Sequence, residues 1–101
     1  MKVCNMLSSR GNRVANQFIV EDVTIKHETP NGTEQFFTGS MFQSYQSNIA
    51  FWSNTGGILI DKRFWDYSTI TGKYRNQFLG ETKKETQKKI DSGEYILADL
   101  N

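Results

Sequence analysis

The sequence predicts an α+β fold: an antiparallel β-meander of four to six strands, two C-terminal helices packed on one face, and a short final strand. Three observations carry this expectation. As far as Ile60, short runs rich in β-branched and aromatic residues alternate with Gly, Asn, Ser and Pro turn signals, which is the spacing of a meander. Beyond Asp66 the hydrophobic period becomes that of a helix. The 101 residues include seven Phe, four Tyr and two Trp, enough apolar area for one small aromatic core in a chain of single-domain length.

Val3 to Leu7 is apolar enough for a first strand. "SSRGN", Ser8–Asn12, reads as a plain turn rather than a phosphate loop: Gly11 supplies left-handed geometry, and Ser and Asn bond their own backbone. "RVANQFIVED" then reads as a strand. Phe18 and Val20 fall on one phase of its alternation, Val23 and Ile25 on the other, so a bulge at Glu21–Asp22 is expected to restore the facing. "TPNGT", Thr29–Thr33, is the clearest turn, with Pro30 presetting its φ and Asn31-Gly32 tolerating positive φ. It is expected to join Val23–Glu28 to Glu34–Thr38 as a hairpin. Met41–Trp52, "MFQSYQSNIAFW", reads as one strand that is polar on both faces. Phe42, Ser44, Gln46, Asn48 and Ala50 share one side; Gln43, Tyr45, Ser47, Ile49 and Phe51 share the other. Ser53–Gly57 turns the chain and Ile58–Ile60 starts the returning strand.

In "FWDYSTITGKYRNQFLG", residues 64–80, Tyr67, Ile70, Tyr74 and Phe78 recur at steps of three, four and four. This places them on one stripe of a helix, expected to face the sheet. Thr69, Lys73, Asn76 and Gln77 then face away, and Arg75 stays available outside. Asp66 or Ser68 can cap the start, and Gly80 ends the helix. Gly72 in its interior costs about 1 kcal/mol relative to Ala, which close packing on the sheet would offset. "TKKE", Thr82–Glu85, is a capping box that opens a second helix. Its near absence of apolar residues, Ile90 apart, keeps it on the surface, and Gly93 stands where it should end. Glu94–Leu100 is a final short strand or extended tail. No linker divides the chain, so residues 1–101 are one domain.

Composition narrows the function. Cys4 is the only cysteine, which fits a reducing compartment. The chain opens without an apolar leader core, and its longest aliphatic run, Ile58–Ile60, is far too short for a bilayer. A soluble cytosolic protein with no membrane contact is expected. His27 is the only histidine, beside the predicted hairpin turn and far in sequence from Cys4. No Cys/His spacing suits zinc, and no phosphate-binding or dinucleotide motif is present. Glu21 and Asp22 are neighbours on a strand and point to opposite faces. The expectation is a protein that is not an enzyme and has no catalytic residues, metal or cofactor.

Two binding readings remain. Net charge is +1, yet residues 62–89 hold eight Lys/Arg against Asp66, Glu81 and Glu85. Arg63, Lys73, Arg75, Lys83 and Lys84 could contact phosphates while Trp65 or Tyr67 stacks on bases. Alternatively, Gln43, Tyr45, Ser47, Arg63, Lys73 and Arg75 form a surface for a protein partner, since Tyr and Arg are favoured at interface cores. A polar strand over residues 43–48 is either a solvated edge or a binding surface. Such an edge can also pair across a two-fold axis, which makes a homodimer a further expectation.

"ANQFIV", "FQSYQSNIA", "FWDYSTITGKYRNQFLG" and "SGEYILADLN", in that order, resemble a family of small uncharacterised proteins encoded by bacteriophages and prophage-like elements. Its members share an SYxSxIA segment, a YWDYSxTTxKYRxxFL segment and a short C-terminal tail. The resemblance covers about half of the chain, with a divergent insertion around residues 21–41. Phe64 stands where the family has Tyr, and Ile70 where it has Thr. It brings no catalytic residue or cofactor. It implies a mobile-element origin and action in the cytoplasm of a bacterial host. Small phage accessory proteins of this size often bind and block host machinery, and from that class, not from a motif, the leading expectation is a non-enzymatic inhibitor of a host defence (anti-CRISPR-like) or housekeeping protein. Nucleic-acid binding through residues 62–89 is the alternative.

Overall fold

In a computed structural model that describes every residue, Met1–Asn101, the chain runs through β1 (Lys2–Leu7), β2 (Arg13–Glu28), β3 (Glu34–Ser44), β4 (Ser47–Ser53), β5 (Ile58–Asp61), α1 (Thr69–Leu79), α2 (Lys83–Asp91) and β6 (Ile96–Ala98). The strands form one sheet in chain order. Pairing is antiparallel from β1 to β5, and β6 joins β5 in parallel. A parallel neighbour requires a long crossover, and α1 with α2 supplies it. The fold is thus the expected α+β meander with two following helices and a short last strand.

Local chemistry sets the turns. At Thr29–Thr33 the Thr29 N–H donates to the Thr33 carbonyl and closes the β2–β3 hairpin. The bulge falls where the phase slip placed it: Val20 pairs with Met41 but Val23 with Gly39, so β2 carries one extra residue, and Asp22 has φ +56°. Val20, Val23 and Ile25 thereby share one face.

The segment Met41–Trp52 is not one strand. It turns at Tyr45-Gln46, Ser44 pairs with Ser47, and Tyr45 takes φ +56°. No glycine announces this turn. It is held by one tertiary and one local bond: the Tyr45 N–H donates to the Asn16 carbonyl at 2.7 Å, and Gln43 Nε2 donates to the Tyr45 carbonyl two residues on at 2.9 Å. Residues 43–48 therefore tip a hairpin between two interior strands and form no sheet edge. The edges are β1 and β6, so the two-fold pairing expected through residues 43–48 has no free edge there.

Both faces of the sheet are packed. On one, α1 covers Phe42, Ile49, Ala50 and Ile60 with Tyr74, Phe78 and Leu79, and the ring of Phe78 stacks on Phe42 at 5.8 Å. On the other, Met41, Phe51, Leu59 and Ala98 form a second core without any helix. The far half of the β2–β3 hairpin supplies its cover: Val23, Ile25 and Phe37 pack on this core. The hairpin tip, with His27 and Pro30, shares a groove with Lys62 and β6. Gly39 sits at the corner where the hairpin folds back. A Cβ there would lie 2.1 Å from the Trp52 carbonyl oxygen and 2.8 Å from Ser53 Cα, so only glycine lets β3 pass β4 so closely.

The inward face of α1 differs from the expected stripe. Its buried residues are Thr71, Gly72, Tyr74, Arg75 and Leu79. Tyr74 is buried and Phe78 half-buried, but Tyr67 precedes the helix and is 47% exposed, and Ile70 is 50% exposed. The stripe is rotated by about one residue because two polar side chains, Thr71 and Arg75, find partners inside. Gly72 is buried beneath Arg75 and Asp66, not against the sheet.

Asp61 fixes the exit from β5. It is 1% exposed, and its carboxylate accepts from the backbone N–H groups of Arg63, Phe64 and Leu100 and from Asn101 Nδ2. Four donors replace the water such a group loses on burial, and they clamp the C-terminal tail beside the loop that leads into α1.

Candidate functional site

Ser68 caps α1 in extended geometry, accepting from the Thr71 N–H at 3.1 Å. Its hydroxyl donates to Thr71 Oγ1 at 2.9 Å, and Thr71 shares a 2.8 Å hydrogen bond with Ser44. This buried chain of hydroxyls docks the first turn of α1 on the β3–β4 hairpin. Tyr45, next to Ser44, and Ile70, next to Thr71, thus adjoin the two partners of one buried hydrogen bond. Tyr67 is next to Ser68, its ring edge-on to Phe64 at 5.7 Å. All three side chains are large and 44–50% exposed.

Beside them an open cleft of about 670 Å³ is lined by Asp66, Tyr67, Thr69, Lys73, Arg75 and Lys83 among others. Arg75 forms its floor. Only 1% exposed, its guanidinium donates to the Trp65 carbonyl, to Asp66 Oδ1 at 3.1 Å and to Asn76 Oδ1 at 2.9 Å, and lies 5.0 Å from the centre of the Trp65 ring. Lys83 reaches the other Asp66 oxygen at 2.6 Å. One carboxylate thus joins the start of α1 to the start of α2. Burial opposes the charge on Asp66, but the hydrogen bonds from Lys83 and Arg75 outweigh it and hold its carboxyl below the ordinary carboxylate range.

The residues expected to bind a partner divide. Tyr45 and Lys73 are exposed; the Lys73 ammonium lies over the Tyr74 ring at 5.4 Å. Gln43 and Ser47 are half-buried, Gln43 being spent on the Tyr45 turn and Ser47 on pairing with Ser44. Arg63 is exposed but turned to the C-terminal tail, paired with Asp99 at 3.4 Å. Arg75 is not an external residue: burial and three acceptors make it part of the scaffold, and its guanidinium is already engaged rather than free for a protein or phosphate as expected. Of the remaining basic residues, Lys83 is on the cleft but engaged by Asp66, and Lys84 is exposed outside it. Tyr67 and Ile70, expected inside, are exposed instead. Asp66 was visible only as a possible cap. No sequence signal pairs it with Lys83, because that contact depends on how α2 folds back.

A second polar cluster holds α2 to the approach of β6. Glu81 accepts from Lys89 Nζ at 2.8 Å, Tyr95 Oη at 2.7 Å and Thr86 Oγ1 at 2.6 Å. Burial opposes the Glu81 charge, yet the bonds from Lys89, Thr86 and Tyr95 pull its carboxyl below the usual value. The bond to Glu81 raises Lys89, and burial with the same carboxylate pushes the Tyr95 phenol up to about 12. A carboxyl depressed in the folded state contributes stability above its unfolded value and loses it as pH falls through the folded one. The melting temperature should therefore fall as the solution is acidified below roughly pH 4, and Glu81→Gln should flatten part of that fall. At the other limit, raised Lys89 and Tyr95 lose their contribution as pH rises beyond about 10. Thermal melts of both proteins from acid to alkaline pH check this; an acid limb unchanged in Glu81→Gln would contradict it.

No three side chains among His, Cys, Asp and Glu come together as a metal-binding group, and no helix is long and apolar enough to cross a membrane. Fold and site define an α+β protein with a doubly packed meander and an aromatic, cation-rimmed cleft. The chain belongs to the family of unknown function DUF8033, whose pattern matches residues 1–94. No curated protein and no solved structure matches it.

Proposed function

We propose that this is a non-enzymatic binding protein that grips another protein with the end built from the β3–β4 turn and the start of α1. The observation that carries the reading is the exposure of Tyr45 on the β3–β4 turn and of Tyr67 and Ile70 at the start of α1, two segments tied together by the Ser44–Thr71 hydrogen bond, with Tyr67 lining a cleft rimmed by Lys73 and Lys83. Tyrosines and an aliphatic residue set on a rigid, hydrogen-bonded base supply contact area at low cost in side-chain entropy, the makeup of an interface centre. The resemblance to phage and prophage proteins supports a bacterial host protein as the partner, from a defence system or the housekeeping machinery. It likewise supports action in the host cytoplasm.

The test is capture of a defined host protein by the tagged chain expressed in bacterial cells. Tyr45→Ala with Ile70→Ala should weaken that complex at least about tenfold, because central interface side chains each contribute more than about 1 kcal/mol. Phe36→Ala, which removes an exposed ring from the β2–β3 hairpin, should leave it unchanged. Equal affinity in all three proteins would overturn the assignment of this surface.

Nucleic-acid binding is the second reading, favoured by Lys73, Lys83 and Tyr67 lining one cleft with Lys84 close in sequence. It ranks lower because Arg75 is buried and Lys83 is drawn onto Asp66. Binding to unrelated DNA or RNA that weakens steeply with salt would reverse the order.

A further inference from the structure

We infer that two copies of this chain pair through β1, edge to edge about a two-fold axis centred on Asn5, so that the sheet runs continuously from one copy into the next. The surface is independent of the one proposed above.

The sheet has two edges, and they are unequal. β6 is three residues long, and the clamped C-terminal tail follows it directly. β1 is six residues long, and β2 covers only one of its sides. In an antiparallel pair, alternate residues turn their N–H and C=O groups away from the neighbour. The Leu7 carbonyl already accepts from Gln77 Nε2 at 2.8 Å; the other outward-turned backbone groups of β1 form an open row that another strand can satisfy. The devices that keep edges apart are very short strands, charges, proline, bulges and a covering helix or loop. β1 has Lys2 at one end and no proline, and the register shift beyond Asn5 places its extra residues on β2, where Asn16 takes φ +64°, and not on β1. Val3 is 61% and Leu7 49% exposed.

The strand's own sequence favours a second copy over a foreign strand. Read outward from Asn5, its polarity is palindromic: Cys4 and Met6 are apolar, Val3 and Leu7 are apolar, Lys2 and Ser8 are polar. An isologous antiparallel pair sets each residue opposite its mirror position. Val3 then faces the partner's Leu7, and Leu7 the partner's Val3, while Asn5 faces the partner's Asn5. Apolar side chains meet apolar ones and no like charges oppose one another, the two conditions for stabilising cross-strand pairs.

Analytical ultracentrifugation across the micromolar range tests the inference. The wild-type protein should sediment at twice the 11.6 kDa chain mass. Val3→Lys with Leu7→Lys sets like charges opposite each other twice and should raise the dimer Kd at least about tenfold. Val3→Lys with Leu7→Glu sets opposite charges there and should keep the dimer. All three should melt as folded proteins, since both positions are exposed. A wild-type monomer at every concentration overturns the proposal. So does a dimer indifferent to the Lys/Lys pair of changes, which means another interface, and so does a Lys/Glu variant as weak as the Lys/Lys one, which refutes the register.

Discussion

Gly39→Ala is expected to destabilise the protein by about 3 kcal/mol or more, beyond the usual cost of one excess methyl in a core. The added Cβ would sit 2.1 Å from the Trp52 carbonyl oxygen and 2.8 Å from Ser53 Cα. Both are main-chain atoms held in the β3–β4 ladder, where Gly39 itself pairs with Ser53. No rotamer change relieves the clash, so the strands must part. What parts is the corner that folds the β2–β3 hairpin over Met41, Phe51 and Leu59. Urea denaturation should show a lower midpoint, and amide exchange should accelerate first in residues 23–38. Gly57→Ala is the control: a Cβ at Gly57 meets nothing within 4 Å, and its effect should stay within about 0.5 kcal/mol. Matching midpoints for the two variants would show that the corner is not tight.

Arg75→Ala should destabilise by a similar amount, about 3 kcal/mol, the low end of what breaking a buried ion pair costs. The low end applies because Asp66 keeps Lys83 and is itself partly exposed. The change strips the partners from the Trp65 carbonyl and Asn76 Oδ1, removes the cation from the Trp65 ring and leaves a cavity under the cleft. Arg75→Met refills the volume without the hydrogen bonds and should recover part of the loss. Denaturant midpoints for the three proteins decide the matter. If both variants were as stable as wild type, the guanidinium would have to be external, and the sequence-based assignment of Arg75 as a contact residue would stand. Loss of partner binding in Arg75→Ala would by contrast report unfolding of the scaffold, so the binding surface is better probed at Tyr45 and Ile70.

Arg75 also shows where sequence reading stops. Hydrophobic period, the signal a lone sequence offers, places Tyr67, Ile70, Tyr74 and Phe78 on one helical stripe. The protein buries a face shifted by about a residue, since Thr71 is satisfied by Ser44, twenty-seven positions away, and Arg75 by Asp66 and the Trp65 carbonyl. A polar residue goes inside when its partners are there, and partners brought by another element leave no periodic trace. The Tyr45-Gln46 turn was hidden for the same reason. Its positive φ is held by Asn16 of the neighbouring strand, not by the Asn-Gly chemistry that marked Thr29–Thr33. Half of the candidate site followed: Tyr45 and Lys73 were legible as exposed residues, while Tyr67 and Ile70 were assigned to the core.

By itself the sequence determined the α+β class, the succession of strands, two helices and a short last strand, the caps at Thr82 and Gly80 and the bulge before Val23, but not the turn that divides β3 from β4. Each depends on residues within a few positions of one another, where backbone geometry and hydrogen bonding are local. Only the tertiary structure decided which face of α1 is buried, that the β2–β3 hairpin folds back to close a second core, and that the open sheet edge is β1. Those outcomes rest on contacts between distant segments, whose energies depend on three-dimensional packing and not on the spacing of residues along the chain.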